Sequence, residues 1–279
     1  MSTSRRLLHL SLLAVLACAA VYLVALGTRW GLHADARALP RSATGPAWER
    51  AHVALRRAVD TVHVANIAIA ALGAALVALR RRRTDLAAVA LATVAGANAT
   101  TQVLKPLLAR TDPLGGEAER SLGASFPSGH ATAAMSLALV AVIVVPRAWR
   151  PTVALIASGY AACVGVGLVL LVAHYPSDVV GGYLVAGAWA AAMAAIALAG
   201  RERGPSATQR PAHLPPPRAL AGAIVLALAV GALLLVPASR LGHGVFAVSA
   251  VTIAAIALAL PVGLALVLPR ERRTARAGR

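Results

Sequence analysis

The sequence predicts an all-α, polytopic transmembrane helix bundle, and three observations carry that prediction. Of the 279 residues, 59% are hydrophobic and only 13% are charged, against roughly 25% charged in an ordinary soluble domain. The mean hydropathy is +0.74. Several apolar runs reach the ~20 residues that a helix needs to cross a bilayer. The net charge of +17 does not point to nucleic acid. The arginines stand in short clusters between apolar runs, with no basic face interleaved with aromatics, so membrane topology explains them better. Cys18 and Cys163 both fall inside predicted spans, which suits neither a disulfide nor a metal site.

Taken in order, Ser4-Arg5-Arg6 precedes a first apolar run from Leu7 to about Gly27. That run is longer than the ~7–15-residue core of a signal peptide. It also continues past Val15-Leu16-Ala17-Cys18, which faintly resembles a lipoprotein cleavage box, so an uncleaved first helix is expected. Residues 28–60, with Pro40, Gly45 and Pro46, are expected to form a polar loop. Its second half, Trp48 to Val59, reads as a short amphipathic helix at the interface. The second span is Thr61–Leu79, ended by Arg80 to Arg83, and the third is Asp85 to about Leu104. The third carries Asn98, Thr100, Thr101 and Gln102, polar residues of the kind that join membrane helices. Gln102 lies one turn before Lys105, where it is able to support a site.

The fourth span is His130–Val145, the fifth Val153–Ala173 and the sixth Val179–Ala199. Residues 1–200 thus form a six-span core, with its motif-bearing part at 61–200. Residues 201–218, containing Pro205, Pro211 and Pro215-Pro216-Pro217, read as a cytoplasmic linker. Two additional spans are expected in 219–268, at about Ala219–Val236 and Val245–Leu268, before a basic cytoplasmic tail at 269–279. With both termini inside, 17 of the 27 basic residues lie on inner segments, as the positive-inside bias requires. The outer loop at 28–60 runs against the bias with six arginines.

This topology brings three segments to one outer face. The end of span three presents Lys105 and Arg110, and Arg120 follows in the same loop. Phe126-Pro127-Ser128-Gly129-His130 opens span four, and His174-Tyr175-Pro176-Ser177-Asp178 joins spans five and six. Ser128 is suited to cap a helix whose exposed N–H groups form an anion site, and Gly129 lets the backbone approach a bound group. Ionisable groups near membrane helices are costly and usually functional. Between Arg120 and Arg201 the only histidines are His130 and His174, and the only acid is Asp178. Taken singly, each has a bland reading: Lys105 as a snorkelling anchor, Arg110 as a loop charge, His174 or Asp178 as an interfacial polar residue. Lys105 is nonetheless the only lysine in a chain with 27 basic residues.

Together these groups suit phosphoryl transfer through a covalent histidine. Lys105 and Arg110, with the amides near Ser128 and Gly129, can neutralise a phosphate. His174 can attack phosphorus, with Asp178 holding its other ring nitrogen. The spacing of four puts the two on one face of a helix turn, although Pro176 marks a helix start between them. His130 can protonate the departing oxygen and then activate water. No metal or other cofactor is required, and no cluster has metal-ligand spacing.

Pro127-Ser128-Gly129-His130, together with His174-Tyr175-Pro176-Ser177-Asp178 and the following Val179-Val180-Gly181-Gly182, resembles the type 2 phosphatidic acid phosphatase (PAP2) superfamily over about residues 61–200. The resemblance implies a six-helix core in which His174 is the nucleophile, His130 the acid and base, and Asp178 the orienting group. Two departures stand out. The first family motif places Arg-Pro seven residues after its lysine, where this chain has Asp112-Pro113, and Arg110 follows Lys105 by five as in a variant bacterial branch. The third motif has Ser-Arg where this chain has Gly167-Leu168, so one phosphate-binding arginine is absent and Arg120 is the available substitute. The implied activity is metal-independent removal of phosphate from a membrane lipid phosphate, or from a polyprenyl pyrophosphate such as undecaprenyl pyrophosphate. The site is expected on the extracytoplasmic side of a bacterial plasma membrane. Two other readings share the scaffold: a phosphotransferase delivering to another lipid or a sugar, and a catalytically silent binder of lipid headgroups, for which Leu168 is the best support.

Overall fold

The computed structural model describes residues 2–40, 46–108, 125–202 and 244–268. They form nine α-helices and one short 3-10 turn, with no strand among the described residues: α1 (Thr3–Ala25), α2 (Arg29–Ala38), α3 (Pro46–Asp60), α4 (Val64–Arg80), α5 (Thr84–Leu107), α6 (Gly129–Val144), α7 (Arg150–Leu170), α8 (Pro176–Glu202) and α9 (Gly244–Val267). Five of them, α1, α5, α7 joined to its 3-10 turn, α8 and α9, are long and apolar enough to cross a membrane. A sixth crossing is made if α3 and α4 count as one span bent by 62°. The chain is an all-α membrane bundle. The expected seventh span at 219–236, the stretch 203–218 and the tail at 269–279 lie outside the described residues, and the eighth expected span is α9.

α6 is the axis of the bundle. It is apolar all round, and most of its residues are buried, the pattern of a helix enclosed by others. It packs against α8, α7 and α5. Small residues permit the close approach: a Cβ on Gly182 of α8 would stand 2.6 Å from the Ser128 carbonyl oxygen, and one on Gly181 2.6 Å from the Phe126 ring. With 16 residues, α6 is ~24 Å long, short of the ~30 Å hydrocarbon thickness. Longer neighbours surround it. α1 lies along α8 and α4 along α5, while α9 packs on α7, α6 and α8, burying Phe246, Ala250, Ile253 and Ala257. Leu13, Leu16 and Leu23 of α1, Ile69 and Leu72 of α4 and Val248 of α9 face outward, an apolar surface suited to lipid.

Polar groups fix the helices against one another. The Thr101 hydroxyl lies 3.0 Å from that of Thr132, which donates to the Ser128 carbonyl at 2.8 Å. Trp189 donates to Thr100 at 3.0 Å, and the Tyr183 hydroxyl donates to the Ala161 carbonyl. Asn98 bonds its own helix at the Val94 carbonyl. At the end of the bundle away from Gly129, Arg81 donates to the Val144 carbonyl, closing the C-terminus of α6.

Residues 28–60 differ from the expected polar loop. They contain two helices, α2 as well as α3, and both are part of the fold. The Thr28 hydroxyl caps α2 by accepting from Gly31 at 3.0 Å, and α2 touches α1, α8 and α9. α3 rests its apolar face on α7, with Leu55 and Val59 against Gly167. α2 lacks the long apolar run that would mark a span, and its helix depends on these contacts.

Candidate active site

Three helix ends meet at one rim of the bundle: the last turn of α5, the first turn of α6, and the junction of α7 with α8. α6 starts where Ser128, the residue before it, accepts from the Ala131 N–H at 3.3 Å. The Ser128 N–H donates to the Asp178 carbonyl at 2.9 Å, so the two histidine-bearing segments are tied to each other directly. Ser128 is fully buried and its amide is taken. The anion-binding donors expected near Ser128 are therefore those of Gly129 and His130, the first two amides of the helix. A Cβ on Gly129 would stand 3.6 Å from the Lys105 ammonium nitrogen and 3.7 Å from the Gln102 side-chain nitrogen. Lys105 and Gln102 thus lie beside the start of α6, at distances that are ordinary van der Waals contact for a Cβ.

α7 ends in a turn in which Ala173 and Val172 donate back to the Leu168 and Val169 carbonyls, the two bonds of a Schellman motif. Glycine normally takes the left-handed position there. Here it is Val172, at φ 53°, a strained choice for a β-branched residue next to a site. His174 follows, its N–H donating to the Leu168 carbonyl at 3.2 Å. α8 begins only at Pro176, so His174 stands before the helix and does not share a helical face with Asp178. The pair meets another way. Asp178, in the first turn of α8, turns its carboxylate back to accept from the Tyr175 N–H at 3.0 Å, the reciprocal half of a capping box. The same oxygen lies 3.5 Å from His174 Nδ1.

Asp178 is fully buried and His174 is 8% exposed. A buried carboxylate costs several kcal/mol unless it is paired and hydrogen-bonded, and the Tyr175 amide and the His174 ring serve that need. At 3.5 Å the His174 contact is longer than a good hydrogen bond, and Nδ1 has no hydrogen-bond partner among the described residues. The His130 ring faces His174, with centroids 6.3 Å apart and planes inclined at 56°. His130 is exposed and also lies within electrostatic reach of Lys105 and of Asp60 at the end of α3. Arg110 and Arg120 lie outside the described residues. Among the described residues no group of three His, Cys, Asp or Glu side chains is arranged to hold a metal ion.

The family model of the PAP2 superfamily matches residues 86–202, a stretch that holds Lys105, Ser128 to His130 and His174 to Asp178. Residues 86–202 are thus similar to the PAP2 superfamily. No curated protein and no solved structure matches the chain. The PAP2 stretch runs from α5 to α8, with α1 to α4 and α9 outside it.

The family's Ser-Arg position is filled differently here. Leu168 is 1% exposed in the apolar core, and a Cβ on Gly167 would stand 3.3 Å from Val59 and 3.5 Å from Leu55 of α3. α3 covers the surface of α7 at this point. One residue beside the PAP2 site escapes sequence reasoning altogether. Asp35 of α2 is buried, accepting from the Ser177 N–H at 3.2 Å and from the Ser177 hydroxyl. Its only signal in the sequence is indirect: the residue before Pro176 is Tyr175, which cannot cap a helix.

Proposed function

We propose that the protein is a membrane lipid phosphatase that works through a phosphohistidine, removing phosphate from a lipid phosphate or polyprenyl pyrophosphate at the extracytoplasmic face. The observation that carries this reading is the facing of the His130 and His174 rings at 6.3 Å, with Asp178 behind one ring and Lys105 over the first turn of α6. A single phosphorus atom fits between two imidazoles at that separation.

With Nδ1 protonated toward Asp178, His174 presents the lone pair of Nε2. It attacks phosphorus, a P–N bond forms, and the P–O bond to the lipid breaks. The leaving oxygen takes a proton from His130. Water then gives a proton to His130 and attacks phosphorus, the P–N bond breaks, and inorganic phosphate leaves. Lys105 and the amides of Gly129 and His130 offset the charge on the equatorial oxygens, with Arg110 and Arg120 as further cationic groups. The absent third-motif arginine removes one such contact, a loss of a few kcal/mol of transition-state stabilisation.

A test is phosphate release from a panel of diacylglycerol and polyprenyl phosphates without added metal. Wild type is expected to turn over, vanadate to inhibit as a mimic of five-coordinate phosphorus, and His174→Ala to abolish release. Equal, negligible turnover by wild type and His174→Ala across the panel would favour a silent headgroup binder. Recovery of the phosphoryl group on an added acceptor would assign a phosphotransferase.

A further inference from the structure

We propose that Asp35, on a helix outside the PAP2 stretch, is a positioning residue for the His174–Asp178 pair. A helix that begins with Pro176 has two amides in its first turn to satisfy, those of Ser177 and Asp178. The usual source is the residue before the helix, through a Ser, Thr, Asp or Asn side chain. Here that residue is Tyr175. The Asp178 N–H reaches the Tyr175 carbonyl at 3.1 Å, which leaves Ser177. Its N–H donates 3.2 Å to one Asp35 oxygen, and its hydroxyl donates to the other. α2 therefore supplies the cap that the chain lacks locally, from 142 residues away. The carboxylate also places a negative charge at the positive end of the α8 dipole.

The consequence for the site is geometric. Asp178 follows Ser177 directly, holds the Tyr175 amide, and approaches His174 Nδ1 at 3.5 Å. A first turn of α8 that frays or rotates changes that approach and the aim of the His174 ring. Asp35 is buried and is linked to Asp178 through Ser177, so the role proposed for it is orientation.

The kinetic part of the test rests on the phosphatase reading, and a chemical part does not. In the full-length protein in detergent micelles, Asp35→Ala is expected to lower kcat for a lipid phosphate about 10-fold or more, the scale of a misplaced catalytic group, with KM little changed. Asp35→Asn, which keeps an acceptor for the Ser177 N–H, is expected to recover most of the rate. Ser177→Ala, which loses one of the two bonds, should fall between. Asp85→Ala, which removes a carboxylate at the far end of the bundle, is the matched control and should leave kcat unaltered. Independently, the rate of diethylpyrocarbonate modification at His174, read by peptide mass spectrometry, should change in Asp35→Ala and not in Asp85→Ala. Unchanged kcat, or a lower melting temperature with unchanged kcat in the folded fraction, would overturn the proposal. If wild type releases no phosphate the phosphatase reading fails, and the modification rate alone decides: an unaltered rate at His174 overturns the positioning role. Should Asp35→Ala not fold, Ser177→Ala and Asp35→Asn provide the same comparison.

Discussion

His174 stands outside the helix that carries its partner. The Leu168 carbonyl fixes its backbone, the ring faces His130, and Asp178 reaches Nδ1 from the first turn of α8. One Asp178 oxygen meets both the Tyr175 amide and the His174 ring, so its substitution tests both roles. In Asp178→Asn the amide can turn its oxygen to Tyr175 and keep the cap, while the charge beside His174 is lost. The expected outcome is a small change in melting temperature and a fall in kcat of roughly 10³-fold or more, the scale seen when a catalytic histidine loses its carboxylate. A rate within 10-fold of wild type would make Asp178 a cap alone. At this scale the sequence was largely legible. Lys105, His130, His174 and Asp178 stand next to helix boundaries that hydropathy marks, and scarcity singles them out. Asp35 was not legible, because a cap contributed by another helix leaves no local pattern. The geometry of the His174–Asp178 pair was legible in part: Pro176 marks the helix start between them, and spacing four implies a shared helical face only when both residues lie inside the helix.

Helix contacts decide what the motifs can tolerate. The pair Gly181-Gly182 lets α8 cross Phe126 and the start of α6, and 2.6 Å from the Ser128 carbonyl leaves no place for a methyl group. Gly182→Ala is expected to destabilise by about 1–3 kcal/mol through overpacking and to lower phosphate release together with stability, read by thermal unfolding and the lipid assay. Unchanged stability and rate would show that the crossing relaxes freely. Gly167-Leu168 makes the opposite point. Restoring the family arginine by Leu168→Arg puts a charge into a position that is 1% exposed and costs several kcal/mol unless it finds a partner. Loss of stability without a gain in rate is expected, and a gain in rate would show that the side chain reaches the phosphate past α3. The long apolar helices were readable from composition and run length. α2 was not, since its ten residues are stabilised by neighbours more than by any pattern of their own.

For the whole molecule, His130 and His174 lie at the end of the bundle opposite to Arg80 to Arg83. Arg80 to Arg83 precede α5, whose last turn carries Lys105, and Arg81 closes the end of α6 opposite to Gly129. The positive-inside bias is the basis for proposing that the histidine end faces outward. His63, exposed at the bend between α3 and α4, and Arg80, exposed at the other end of α4, report the two sides. In intact cells, a membrane-impermeant maleimide should label His63→Cys and not Arg80→Cys. The reverse pattern would place the site in the cytoplasm.

The most direct test of the central claim is the covalent intermediate. Protein given a lipid phosphate labelled at phosphorus and quenched in alkali, where phosphohistidine survives, should carry label on the peptide containing His174, and His174→Ala should carry none. Turnover with label on another residue, or equal labelling of wild type and His174→Ala, would contradict it.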